Sequence, residues 1–99
     1  MANVLITGSG IGIGRATAIA FARAGYTVMV TDILDEEGSR VVDEIRRGGG
    51  SAEFFHLDVT DTSRTNEVVA EATTRHGALD VVVANAGIAH RIPFAKMTD

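Results

Sequence analysis

Apolar positions along this chain follow two alternating rhythms. Val4-Leu5-Ile6 is a short, wholly apolar run that ends in Thr7-Gly8. Such a run suits a strand buried on both faces, as in a parallel sheet. Residues 13–24 contain no proline and many alanines. Ile13, Ala16, Thr17, Ala20 and Ala24 are expected to form the inward stripe of a helix there. Gly25 follows where a helix C-terminus favours glycine. Residues 27–31, Thr-Val-Met-Val-Thr, read as a second strand. Asp35, Glu36 and Glu37 open a second helix at the end where the dipole favours carboxylates. Val41, Val42 and Ile45 supply its apolar stripe, and Gly48-Gly49-Gly50 ends it. A third strand is expected over residues 52–57. Asp61, Thr62 and Ser63 offer caps for a third helix, with Thr65, Val68, Val69 and Ala72 on one face and His76-Gly77 at its close. Val81-Val82-Val83 forms the centre of a fourth buried-type strand over residues 79–84.

The order β-α-β-α-β-α-β, with connections of helical length, predicts a parallel sheet with right-handed crossovers. Helices on both faces make this a doubly wound α/β arrangement. The chain has 99 residues, 45% of them apolar, with eleven glycines beside one proline. That is an ordinary globular composition and allows one domain at most. No cysteine is present, which excludes disulfides, thiolate nucleophiles and zinc–thiolate sites. Nine basic and 13 acidic residues give a net charge of −4 and no basic stripe, so no nucleic-acid partner is expected. No apolar run approaches the ~18 residues of a membrane span, and no basic region precedes a long apolar stretch at the N-terminus. A cytoplasmic protein without a membrane partner is therefore expected.

The candidate chemistry lies in the first turn, Thr7-Gly8-Ser9-Gly10-Ile11-Gly12-Ile13-Gly14, between a strand and a helix. Glycine admits positive φ and close approach of the backbone to a ligand. A helix N-terminus presents free N–H groups and a positive dipole, and the two together bind phosphate. Two nearby glycines alone would mean no more than a flexible turn. Four at alternate positions, between strand and helix, predict a pyrophosphate-binding turn. A P-loop is excluded because position 13 is Ile and the only lysine is Lys96. The form G-x-G-x-x-G also fails, because the third glycine would fall on Ile13 or Thr17. The spacing that fits is T-G-x-x-x-G-x-G, from Thr7, Gly8, Gly12 and Gly14.

This motif resembles the cofactor fingerprint of the short-chain dehydrogenase/reductase family. Asp32 ends the second strand, eighteen residues after Gly14. A carboxylate so placed can accept from adenine-ribose hydroxyls and repel a 2′-phosphate, although taken alone it could equally be a solvated strand end. In the family, a basic residue before the second motif glycine or just after strand two accompanies NADP. Here Ile11 and Ile33 hold those positions, so the resemblance implies NAD, with NADP the lesser reading. It further implies that Asp58 meets the adenine amino group and that the Val59 backbone meets a ring nitrogen. A turn-capping role is the alternative for Asp58. Ala84-Asn85-Ala86-Gly87 is similar to the family's N-N-A-G segment, with Ala84 replacing the first asparagine. Asn85 would steady the sheet and face the cofactor, while Ala86 and Gly87 let the backbone pass close to it. Asp80 also stands where the family often has aspartate. The expected cofactor-binding set is thus Thr7, Gly8, Gly10, Ile11, Gly12, Ile13, Gly14, Asp32, Ile33, Asp58, Val59, Asn85, Ala86 and Gly87. The resemblance covers residues 4–99 and implies a Rossmann-like sheet of order 3-2-1-4, with homo-oligomers usual in the family.

The family's catalytic serine and its Tyr-x-x-x-Lys are not found in these 99 residues. Tyr26 is the only tyrosine, and Val30 rather than lysine stands four residues on. Packing is the better account of Tyr26. His56, His76 and His90 have no metal-like spacing, and no Gly-x-Ser-x-Gly elbow occurs. His90 could line the cofactor edge, but a solvated loop is the simpler reading. Residues 1–99 are therefore expected to be the N-terminal part of a single NAD(P)-binding Rossmann domain, without catalytic residues of its own. Lys96-Met97-Thr98-Asp99 ends on helix-capping residues, which agrees with a truncated domain. The full enzyme would move hydride between nicotinamide and a small alcohol or ketone. A non-catalytic dinucleotide-binding module and a structural fragment are the other readings. An apolar fourth strand at a sheet edge invites pairing with another chain. The isolated chain is thus expected to self-associate or to be only partly ordered; a cooperative, monodisperse monomer in sedimentation and thermal unfolding would contradict this.

Overall fold

A computed structural model of the chain describes residues 2–85. Seven elements follow one another: β1 (Asn3–Ile6), α1 (Gly12–Arg23), β2 (Thr27–Asp32), α2 (Asp35–Arg47), β3 (Ser51–His56), α3 (Thr62–His76) and β4 (Val81–Val83). The strands form one parallel sheet, as the alternating periodicity predicts, in the order β3-β2-β1-β4 that the family resemblance implies. β1 lies at the centre, with Val4 beside Val28 on one side and Val81 on the other. All four residues of β1 are buried, which is why its sequence reads as a continuous apolar run rather than an alternation.

Alternate side chains divide the core into two layers. Val4, Ile6, Val28 and Val30 pack under α1 and α2, together with Ala18, Val41, Val42 and Ile45. Leu5 and Met29 face the other way, onto Val68 and Ala72 of α3, with Phe55 and Leu57 alongside. Two helices thus cover one face and one covers the other. Among the described residues no helix is long and apolar enough to cross a membrane.

Two expectations need correction. The stripe Ile13, Ala16, Thr17, Ala20 and Ala24 does not face the sheet: Ile13 is 77% exposed and only Gly14 and Ala18 of α1 are fully buried. Ile19, Phe21 and Ala22 pack beside them, and the Phe21 and Tyr26 rings meet edge to face at 4.8 Å. The reason is steric. This helix approaches the sheet closely at its start, so its inward face carries its smallest residues there, and the bulky Ile13 turns outward. β4 is also shorter than expected, three residues instead of six, since Leu79, Asp80 and Ala84 lie outside the ladder.

Local chemistry sets the remaining boundaries. Asp61 caps α3, accepting from the Arg64 backbone N–H at 2.9 Å. α1 is followed by Gly25 at φ 96°, and α3 ends on Gly77 at φ 97°. The buried Asn3 ties the start of β1 to the end of α3. Its Nδ2 donates to the carbonyls of His76 and Ala78 at 2.9 and 3.0 Å, and its N–H donates to Asp80 Oδ2 at 2.8 Å. Asp80 therefore has a structural partner at the N-terminal edge of the sheet. At the β3 edge, Arg46 and Arg64 donate to the carbonyls of Ala52 and His56.

Candidate functional site

Because the strands are parallel, their C-terminal ends share one edge. The turn after β1, the residues after β2 and β3, and Asn85 after β4 gather there. The turn is anchored on both sides. The Thr7 N–H donates to the Val83 carbonyl at 3.0 Å, and the Asn85 N–H donates to Thr7 Oγ1 at 2.8 Å. Asn85 Nδ2 lies 3.3 Å from the Gly8 carbonyl, to which it donates. Asn85 thus joins the end of β4 to the turn after β1. On the other side Ser9 is fully buried: its N–H donates to the Thr31 carbonyl and its hydroxyl to the Ile6 carbonyl, while it accepts from the Thr31 N–H at 3.0 Å. Ser9 was not among the expected site residues. Its signal was a hydroxyl between two glycines at a strand end, where one side chain can both donate and accept.

The glycines do different work. Gly8 and Gly12 hold φ near +60°, a region that disfavours side chains, and open space lies where a Cβ on Gly12 would point. Gly14 is required by contact instead. A Cβ there would stand 2.0 Å from the Gly8 carbonyl oxygen and 2.6 Å from Asn85 Nδ2. At Gly10 a Cβ would stand 2.9 Å from Asp32 Oδ2 and 3.2 Å from the backbone nitrogen of Gly38. Gly38, outside the expected set, lets α2 lie against the Phe54 ring.

The start of α1 suits an anion. Its N-cap, Ile11, is extended and contributes no side-chain cap, and its first turn holds no acidic residue. By contrast α2 opens with Asp35, Glu36 and Glu37, and α3 carries the Asp61 cap. The positive end of the α1 dipole and its leading N–H groups therefore face the opening above Gly12 with no side-chain cap from Ile11 and no acidic residue in the helix's first turn. Ile11, Ile13, Ile33 and Leu34 are 54%, 77%, 56% and 38% exposed. They are the large apolar side chains exposed among the described residues, and all four border this edge. Apolar walls around a few directed polar groups are the usual make-up of a small-molecule site.

Asp32 is 7% exposed and sits beside the turn, accepting from the Gly10 N–H. Asp58 is exposed and accepts from both the N–H and the hydroxyl of Thr60, at 2.9 and 2.7 Å. The Thr60 hydroxyl, then its N–H, hold the Asp58 carboxyl below the ordinary carboxylate range. The turn-capping geometry is thus present, and one Asp58 oxygen carries no bond from it. Val59 is half-buried against the α3 layer. His56 closes β3 with Nδ1 2.6 Å from Asp35 Oδ1. No group of metal-ligating side chains occurs among the described residues. Of the expected set, Ala86 and Gly87 lie outside the described residues, as does His90. A separate cavity of about 120 Å³ lies between the C-terminal halves of α1 and α2, lined by Ile19, Ala22, Arg23, Glu44 and Ile45 among others.

The Gly14 contact gives a direct test. Alanine is the better helix former by about 1 kcal/mol. A Cβ against the Gly8 carbonyl forces the backbone to shift, at about 1–3 kcal/mol or more. Gly14→Ala is therefore expected to lower the unfolding free energy and to speed amide exchange at residues 7–10. Unchanged stability and exchange would show that the turn does not depend on this contact.

The family model for short chain dehydrogenase matches residues 2–99. The chain is 42% identical over 85 residues to a cyclopentanol dehydrogenase of Comamonas, covering 86% of this chain and 34% of the relative. It is 40% identical over 90 residues to the 7alpha-hydroxysteroid dehydrogenase of Escherichia coli, covering 91% and 35%. The chain thus spans about a third of the length of the curated relatives it matches. A hydroxysteroid dehydrogenase crystal structure from Escherichia coli superposes with a TM-score of 0.85 at 38% identity, over 90% of this chain and 38% of that one. A 3-ketoacyl-ACP reductase from Sinorhizobium meliloti gives 0.83 at 45% identity, over 87% and 34%. The fold agrees with these structural matches, and the chain belongs to the short-chain dehydrogenase family.

Proposed function

We propose that this chain is the dinucleotide-binding portion of an NAD-dependent oxidoreductase that interconverts small alcohols and ketones. The observation that carries the reading is the start of α1: a glycine turn pinned to three strands, opening on a helix N-terminus with no carboxylate of its own. Members of the family bind nicotinamide dinucleotides. The residues here fit such a ligand. The backbone of Gly12, Ile13 and Gly14 would meet its pyrophosphate. Asp32 would accept from the adenine-ribose hydroxyls, with Ile11 and Ile33 as apolar walls and Asp58 and Val59 beside the base. Thr7 and Asn85 would hold the sheet end against the cofactor, with Ala86 and Gly87 passing nearby. When bound, the nicotinamide supplies the hydride chemistry.

NAD is preferred over NADP because Asp32 opposes a second phosphate on the ribose, and neither Ile11 nor Ile33 can pair with one. The relatives' names, cyclopentanol and hydroxysteroid dehydrogenases, support a secondary alcohol or the matching ketone as substrate class. No serine and Tyr-x-x-x-Lys set is present in the 99 residues, so the catalytic groups would come from outside them. That same observation favours a second reading, a dinucleotide-binding module that performs no chemistry by itself.

Calorimetric titration of the 99-residue chain tests the proposal. NAD is expected to bind, and its 2′-phosphorylated form to bind about tenfold or more weakly. Asp32→Ala is expected to narrow that difference, and neither protein should turn over an alcohol. Equal binding of the two cofactors by the unmutated chain would overturn the NAD assignment. Absence of heat with both would overturn dinucleotide binding by this chain.

A further inference from the structure

We infer that Asp32 is a positioning residue for the phosphate-binding turn, acting before any ligand arrives. This role is additional to the contact with ribose hydroxyls proposed above, and its consequence for binding rests on that proposal. The carboxylate is almost fully buried, at 7% exposure, and both of its oxygens already hold backbone amides. Oδ2 accepts from the Gly10 N–H at 2.9 Å, and Oδ1 accepts from the Leu34 N–H at 3.0 Å. Its own carbonyl accepts from the Leu57 N–H at 3.0 Å. One residue therefore binds the glycine turn, the start of α2 and the end of β3. The fit at Gly10 leaves no slack, since a Cβ there would touch the Asp32 carboxylate and the Gly38 backbone.

A carboxylate that accepts amide hydrogens in a buried setting forms strong bonds, and removing it strands the donors. The Gly10 amide is the donor at risk. It lies two residues before Gly12, whose positive φ turns the chain into α1. Ser9 would still hold its side of the turn through Thr31, but Gly10 would lose the side chain that ties it to the α2 side. An ionised carboxylate has about four acceptor sites, so two remain for a ligand after the amides are satisfied. The two roles are compatible but separable. A ligand without the adenine-ribose hydroxyls removes the direct contact and leaves the turn-holding role intact.

The experiment compares the unmutated chain, Asp32→Asn and Asp32→Ala against two ligands, NAD and its analogue lacking the adenine-ribose 2′- and 3′-hydroxyls. Asp32→Ala is expected to weaken both ligands, the analogue by about 10- to 100-fold. Asp32→Asn, whose single carbonyl oxygen can still accept one amide, should fall between. Analogue affinity that is constant within about twofold across all three proteins would overturn the inference, because Asp32 would then act only through the hydroxyls. Hydrogen exchange without ligand gives a readout that does not need dinucleotide binding. The Gly10 and Leu34 amides should exchange at least about tenfold faster in Asp32→Ala, with α3 on the opposite face unchanged. Equal protection of Gly10 and Leu34 in all three proteins would also overturn it. If Asp32→Ala loosens the whole chain, Asp32→Asn decides by the same local comparison. If the unmutated chain does not bind NAD, the proposed function falls and the exchange data alone decide the role of Asp32.

Discussion

The structure depends on how closely α1 meets the end of β1. At Gly14 the helix backbone lies against the Gly8 carbonyl, at a distance that admits no side chain. That contact fixes the helix start directly beyond the strand end, and everything at the candidate site takes its position from it. The inward face of α1 must then be small, so Gly14 and Ala18 are buried while Ile13 is displaced toward the opening. The same approach aims the leading amides of the helix at the sheet edge where the turns after β1, β2 and β3 meet. A helix N-terminus that opens at the sheet edge is a by-product of packing a helix onto a parallel sheet without a spacer.

The side chains around this contact distribute three tasks. Ser9 and Thr31 satisfy each other and the Ile6 carbonyl in the interior, which joins β1 to β2 beyond their ladder. Asn85 and Thr7 do the equivalent between β1 and β4. Asp32 joins the turn to α2. The turn is therefore rigid on its protein side and open on the other, above Gly12. A site prepared in this way loses little freedom when a ligand arrives, which favours affinity for a given set of contacts.

Much of this was legible in the sequence, for reasons that differ from residue to residue. Val4-Leu5-Ile6 identified a central strand because burial on both faces removes the alternation. Gly8, Gly12 and Gly14 identified the turn because backbone geometry dictates glycine at those positions. The inward face of α1 was misread, since counting apolar residues favours the bulky Ile13 where the packing distance admits only Gly14 and Ala18. The roles of Ser9 and Gly38 were missed because each depends on a partner far along the chain, Thr31 for one and Phe54 for the other. Asp32 was recognised by its spacing from Gly14, but its bonds to the Gly10 and Leu34 amides have no signature in a linear pattern. Asp58 shows the opposite limit: its bonds to Thr60 make a local turn, so sequence alone left two roles open.

In the proposed function, the turn formed by residues 8–14 receives the phosphates of a dinucleotide. The most direct measurement is a map of backbone amide shifts during titration of the isotope-labelled 99-residue chain with NAD. The largest changes are predicted at Gly12, Ile13 and Gly14, with smaller ones at Asp32, Ile33 and Val59. The amides of Ile19 and Ile45, beside the cavity between α1 and α2, should stay still. Changes centred on Ile19 and Ile45, with the amides of residues 8–14 unmoved, would contradict the account.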